Sequence, residues 1–330
     1  MECRSVYISP PIVFHGSRKV HSSELEIKFG KSPGAIKKLC GVVNRFEFGE
    51  RENLVTCGVK VVRQLLDRDQ IASESISGII AAADATAPTF LPSWAVCVAE
   101  DLGLANISAT TLQVGCNGSI QALELAYSQV RSNSIDGRDS AYVILVGDHT
   151  SIINDPLNWN TSIFFSDCVA ALVVSSRPLA ASAFTLNRVR TTILGGDGFD
   201  AINLPNPYYS GTAALTQRLI MAGSDVFRFA ASVLDCVSTL LEEESFGPSD
   251  YLIPHQGNLR MLQKMIGRRG LRSEQVYTSG ISTVGNTSVA SVIFGFRDFV
   301  DSAQCSSFSR VLLLGFGAEK QIGVAELLRL

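Results

Sequence analysis

Strand-length apolar runs recur along this chain, separated by stretches with the apolar spacing of amphipathic helices. Few folds accept that alternation. Gly78-Ile-Ile-Ala-Ala-Ala83, Ala141-Tyr-Val-Ile-Leu-Val-Gly147 and Val311-Leu-Leu-Leu-Gly-Phe316 show no polar alternation, so each predicts a strand buried on both faces. Between them, helices are expected over residues 51–68, Ser93–Leu102 (closed by Gly103), Ile120–Val130, Asp225–Leu241, 257–268 and 286–300. Further strands are expected over Ser5–Phe14 (broken at Pro10-Pro11), Phe184–Leu194 and Tyr251–Pro254, with a strand pair in Phe164–Val174. Gly195–Gly198 reads as a turn and residues 202–214 as a Pro/Asn/Gly-rich loop. The order predicts an α/β protein. It restarts after Arg177-Pro178, which suggests two duplicated α/β halves, 1–178 and 179–330.

With 330 residues, 46% of them hydrophobic, there is ample material for such a core. A net charge of −3 gives no case for a nucleic-acid partner, and no Lys/Arg run marks a membrane surface. The start lacks the basic-then-apolar order of a signal peptide, and no apolar run approaches the ~18 residues of a membrane span. Eight cysteines occur without C-x-x-C pairs, which argues against zinc and against a disulfide framework. A cytoplasmic protein is expected.

One of those cysteines stands apart. Cys116, in Gly115-Cys-Asn-Gly118, lies where a strand turns into a helix. Unpaired N–H groups and the helix dipole favour thiolate at such a position. His255 occupies an analogous junction in Pro254-His-Gln-Gly-Asn-Leu-Arg260, and Asn286 a third in Gly285-Asn-Thr-Ser-Val-Ala-Ser291. Of the other histidines, His15 and His21 belong to a polar surface loop and His149 to a loop after the 141–147 strand. A Cys/His/Asn trio also occurs in papain-like proteases, but their local cysteine signature is missing.

Together the three junctions resemble the β-ketoacyl-acyl-carrier-protein synthase III family of thiolase-fold condensing enzymes. Phe165-Ser-Asp-Cys-Val-Ala170, Met221–Ala230 and Gly315-Phe-Gly-Ala318 extend the likeness over most of the chain. The resemblance implies a thiolase fold, two duplicated α/β halves in a five-layer α-β-α-β-α arrangement. It implies that Cys116 accepts an acyl group from a thioester, with the backbone N–H groups of Cys116 and Ala318 as oxyanion hole. His255 and Asn286 would stabilise the enolate of a malonyl-type thioester as it loses CO₂. Leu91, Phe227 and Asn258 fall at substrate-contacting positions and Arg260 at the carrier-protein docking position. No cofactor or metal is implied; a homodimer is.

Departures from the family pattern refine the expectation. The Trp and Arg that grip coenzyme A in the family are replaced by Ala35 and Leu39, and a second family Arg by Ile153. Arg260 is kept. An acyl-carrier-protein thioester is therefore expected as donor, the alternative being coenzyme A held by Lys37 or Arg45. Leu91 replaces an aromatic residue that closes the acyl pocket across the dimer, leaving room for a branched or longer acyl chain. Ser166, Cys168, Glu319 and Lys320 stand at usually glycine-rich spots. A specialised, polyketide-type pathway is expected. The alternatives are acyl transfer from Cys116 to a hydroxyl or amine, with His255 as base, and a silent partner subunit.

Overall fold

The computed structural model describes residues 5–84, 86–193, 202–204, 218–317 and 321–330, with only the backbone for 223–231 and 269. The first half opens with β1 (Tyr7–Ile8), β2 (Ile12–His15), β3 (Arg18–His21), α1 (Ser22–Lys28), α2 (Ala35–Cys40) and β4 (Asn44–Glu47). It continues through α3 (Leu54–Asp69), β5 (Gly78–Ala83), α4 (Trp94–Asp101), β6 (Ser108–Gln113), α5 (Gly118–Ile135), β7 (Ala141–Asp148), α6 (Trp159–Ser162) and β8 (Cys168–Ser175). The second half begins with β9 (Phe184–Ile193), β10 (Ile202–Asn203), β11 (Ile220–Met221), α7 (Gly223–Glu243), β12 (Asp250–Pro254) and α8 (Leu259–Arg269). It ends with α9 (Gly280–Thr283), α10 (Ser291–Val300), β13 (Arg310–Gly317) and β14 (Gln321–Arg329).

The strands of both halves join one ten-stranded sheet, ordered β12-β13-β14-β9-β1-β8-β7-β5-β6, with β2 also on β8. β1 is antiparallel to β8 on one side and to β9 on the other, so the N-terminal strand stitches the halves together. Within each half the apolar runs pair parallel, β5 with β6 and β7, and β12 with β13.

Side-chain alternation along these strands creates the layers. Ile79, Ala81, Val143, Leu145, Val169 and Val173 face α3 and α4. Their neighbours Ile80, Ile144, Val146, Leu172 and Val174 face α5 and α10. In the second half Ile253, Leu313 and Leu327 look toward the same two helices, while Leu252, Leu312, Leu314 and Val324 pack on α7 and α8. Helix, sheet, helix, sheet, helix is the resulting order. α5 is the central slab, in contact with strands of both halves.

Three sequence expectations need correction. Phe164–Val174 supplies one strand, starting at Cys168, preceded by a turn; ahead of it the Asp167 carboxylate accepts from the N–H groups of Phe48 and Ser151 and from the Thr150 hydroxyl. The last buried helix starts at Ser291, not 286. Asn286 Oδ1 accepts the Ser288 N–H at 2.9 Å, and Ser288 sits at φ 47, which a right-handed helix excludes. Residues 202–203 form β10, paired with β11, rather than loop. Gly195–Gly198 and 205–214 lie outside the described residues. No helix among the described residues is long and apolar enough to cross a membrane.

Candidate active site

Cys116 follows β6 in a tight turn closed by Gly118 N–H to Gly115 O at 2.8 Å. Residue 118 has no room for a side chain: a Cβ there would lie 3.2 Å from Val289 and even closer to Val114. Buried Asn117 then caps α5, its carbonyl accepting from Ile120 and Gln121. The thiol therefore stands at the electropositive end of the central helix. It is half-buried, with Sγ 3.9 Å from the Ser288 hydroxyl. Cys40 and Cys57, by contrast, are buried, and desolvation pushes their thiols up to about 11.

His255 directly follows β12, its N–H bonding Leu314 O at 2.8 Å and its ring meeting Phe316 edge-on at 5.4 Å. Gln256 locks the turn behind it: its N–H donates to Ser291 Oγ, and its amide to the carbonyls of Pro254 and Tyr277. The imidazole is 4% exposed, and burial pulls its pKa down to about 4, so the neutral ring is the species near pH 7. Nδ1 has no partner among the described residues.

Asn286 is held by its backbone. Its N–H donates to Phe164 O at 2.9 Å and its carbonyl accepts from Ser166 N at 2.8 Å. Gly285 makes the approach possible at φ +77, where a Cβ would lie 3.0 Å from both Arg45 Cγ and Phe164 O. Because Asn286 Oδ1 is taken by the Ser288 N–H, the amide offers its NH₂ donors to whatever enters.

Cys116, His255 and Asn286 all line one cavity of about 770 Å³. Ile153, Ile163, Phe164, Phe165, Leu219 and Met221 give it an apolar wall, and exposed Arg260, Lys264 and Arg268 of α8 stand at its rim. Asn258 caps α8, Oδ1 accepting from Arg260 N at 2.9 Å, and also lines the cavity, as does Leu39. Arg45 does not: it is 3% exposed and donates to Ser162 O, leaving Lys37 as the exposed cation of the two. Leu91 is 88% exposed and lines no part of this cavity. Phe227 lies on α7 where only the backbone is described, and Ala318, Glu319 and Lys320 lie outside the described residues. His149 pairs with Asp167 at 3.7 Å instead of joining the site, and His15 is half-buried against Phe46.

Two residues at the site escaped sequence reading. Ser288 touches the Cys116 sulfur, and wholly buried Asp148 accepts hydrogen bonds from the Ser288 side chain and from the N–H groups of Asp84 and Val289. A carboxylate ending an otherwise apolar strand was the available signal.

A helix-start thiol, a neutral imidazole and a donor carboxamide thus meet in one cavity of this scaffold. Known proteins resemble the chain in sequence and in fold. Residues 241–327 match the family described as 3-oxoacyl-[acyl-carrier-protein] synthase III, C terminal. The chain is 28% identical over 282 residues to the β-ketoacyl-[acyl-carrier-protein] synthase III of Clostridium perfringens, covering 83% of this chain and 84% of that one. With β-ketoacyl-[acyl-carrier-protein] synthase III 1 of Deinococcus radiodurans it shares 27% over 317 residues, 95% of this chain and 91% of the relative. The fold superposes on the priming β-ketosynthase of the R1128 polyketide pathway with a TM-score of 0.84 at 23% identity, covering 99% and 97% of the two chains. Over most of its length the chain is thus similar to β-ketoacyl-[acyl-carrier-protein] synthase III proteins, and its last quarter to that family's C-terminal part.

Proposed function

We propose that this enzyme moves an acyl group from a carrier-protein thioester to Cys116 and condenses it with a malonyl-type thioester, releasing CO₂, in a polyketide or related secondary pathway. The observation that carries the reading is the convergence of Cys116, His255 and Asn286 on one cavity with the Asn286 carbonyl already engaged.

Cys116 attacks the thioester carbonyl, and the N–H groups of Cys116 and Ala318 receive the oxyanion. The donor thiol leaves. A malonyl-type thioester then binds with its thioester oxygen toward the imidazole and the Asn286 NH₂. Loss of CO₂ puts negative charge on that oxygen, where two neutral donors stabilise it without a competing ground-state ion pair. The enolate carbon attacks the acyl-Cys116 carbonyl, forming the carbon–carbon bond and freeing the thiol. Acyl transfer to a hydroxyl would instead ask His255 to act as a base, and an imidazole pulled down to about 4 is a weak one.

A carrier-protein donor is supported by Ala35 and Leu39 at the family's coenzyme A-gripping positions, by the burial of Arg45, and by the cationic rim of α8. A carrier protein is acidic as a class, so Arg260 and its neighbours give it a docking face. We also propose a cytoplasmic homodimer built from two duplicated halves, 1–178 and 179–330, in which exposed Leu91 meets the second subunit's acyl pocket.

Intact-mass analysis after incubation with matched acyl-carrier and acyl-coenzyme A donors tests the reading. An adduct lost in Cys116→Ala, formed faster from the carrier and followed by CO₂ release from a malonyl thioester, is expected. An ester or amide product without CO₂ release would overturn condensation.

A further inference from the structure

We propose that Asp148 serves, through the hydroxyl of Ser288, as the proton acceptor for Cys116. This relay deepens the reading of Cys116 as the acyl-accepting nucleophile and rests on it.

The geometry is that of a chain of three groups. Cys116 Sγ lies 3.9 Å from Ser288 Oγ, and the Ser288 side chain hydrogen-bonds the Asp148 carboxyl. Ser288 is held in place at some backbone cost: its φ is 47, left-handed for a residue with a Cβ, and its N–H is clamped by Asn286 Oδ1 at 2.9 Å. Asp148 is equally constrained. It is 0% exposed, Oδ1 accepts from Asp84 N at 2.7 Å and from Thr86 Oγ1 at 3.3 Å, and Oδ2 accepts from Val289 N at 3.3 Å. A fully desolvated carboxyl one side chain away from a nucleophile, with no cation among its hydrogen-bond donors in the described residues, is costly for stability alone.

Burial pushes the Asp148 carboxyl up to about 6 and pulls His255 down to about 4. Of the two, the carboxylate holds a proton better. The other titratable groups around it do not take over that part. Cys168, opposite Asp148 on β8, is kept as a thiol by burial, and His149 and Asp167 face each other. Asp84 presents its N–H to Asp148 and lines the cavity. The turn Ser288–Ala290 carries no ionisable side chain.

As the Cys116 sulfur bonds to the thioester carbon, its S–H proton passes to Ser288 Oγ and the original Ser288 hydroxyl proton passes to Asp148. When the tetrahedral intermediate collapses, the C–S bond to the donor breaks. The same hydroxyl returns the proton to the departing thiolate. One proton has moved from Cys116 to the leaving thiol, and Asp148 is a carboxylate again. Ser288 touches the reacting sulfur; Asp148 is a positioning residue acting through it.

The test is the rate of Cys116 alkylation by iodoacetamide across pH, read by peptide mass on the full chain. Ser288→Gly, whose backbone accepts φ 47 without strain, and Asp148→Asn should each slow labelling at neutral pH by about tenfold. Each should also erase an inflection near pH 6, where Asp148 titrates. The double variant should lose no more than either single one, because the two act as a unit. His255→Ala should keep the inflection. An unchanged profile in Ser288→Gly, or additive losses in the double variant, overturns the relay. If Asp148→Asn does not fold, the Ser288→Gly profile decides alone. Failure to label Cys116 in the unaltered protein would sink the nucleophile assignment itself, and the relay with it.

Discussion

At the scale of single residues, Gly257 shows how little room the site spares. A Cβ on residue 257 would lie 3.2 Å from Cδ2 and 3.3 Å from Nε2 of His255. Gly257→Ala should therefore press on the imidazole edge and slow malonyl decarboxylation by about tenfold, leaving acylation of Cys116 near its original rate. Separate assays of CO₂ release and adduct formation check this. His255 also carries a pH signature. Its folded pKa is lowered, so between the unfolded value of about 6.5 and about 4 only the unfolded chain binds the proton. Stability then falls as pH drops through that window. The thermal midpoint of the unaltered protein should decline from neutral pH to about pH 5 more than that of His255→Gln. Cys116, His255 and Asn286 were legible because each sits in a short polar motif between periodic segments. Ser288 and Asp148 were not, because their link joins the end of β7 to a turn well over a hundred residues later, and no local pattern encodes that contact.

At the scale of elements, α8 combines two faces. Leu262 and Met265 are buried in the second-half core, while Arg260, Lys264 and Arg268, every fourth residue, stand along the cavity rim. The double reversal Lys264→Glu/Arg268→Glu touches only exposed positions and should leave the fold intact. It should slow acylation from a carrier-protein donor by about tenfold at low salt, with the loss shrinking as salt rises and little change with a coenzyme A donor. Stopped-flow acylation at two ionic strengths measures it. The helix itself was expected from its period, and its start at Asn258 follows from the side-chain cap. β14 was not anticipated. Glu326 interrupts its apolar run and reads as a surface residue, yet it is 8% exposed and paired with Arg310. Burial of a charge by a distant partner is invisible to a local window.

At the scale of the whole molecule, Arg310 ties together the second-half end of the ten-stranded sheet. Its guanidinium reaches Glu326 on β14 at 2.5 Å, Asp250 on β12 at 3.0 Å and the Glu244 carbonyl after α7 at 2.9 Å. The Glu326 carboxyl is held below its usual range by Asn187 and Arg310 despite its burial. Arg310→Met would leave those carboxylates desolvated without their cation, and should cost about 3–5 kcal/mol in a denaturant titration. The layered plan behind this network was readable in outline from the unalternated strands and the restart near residue 178. The stitch through β1 was not, since two residues carry no period. That stitch has a temporal side. Tyr7 and Ile8 leave the ribosome long before β9, the strand that one of their two ladders needs. Until then β1, although paired with β8, is itself an open margin. The nascent first half is thus a product with an unfinished seam, exposed to strand exchange with other copies until its own second half arrives to close it.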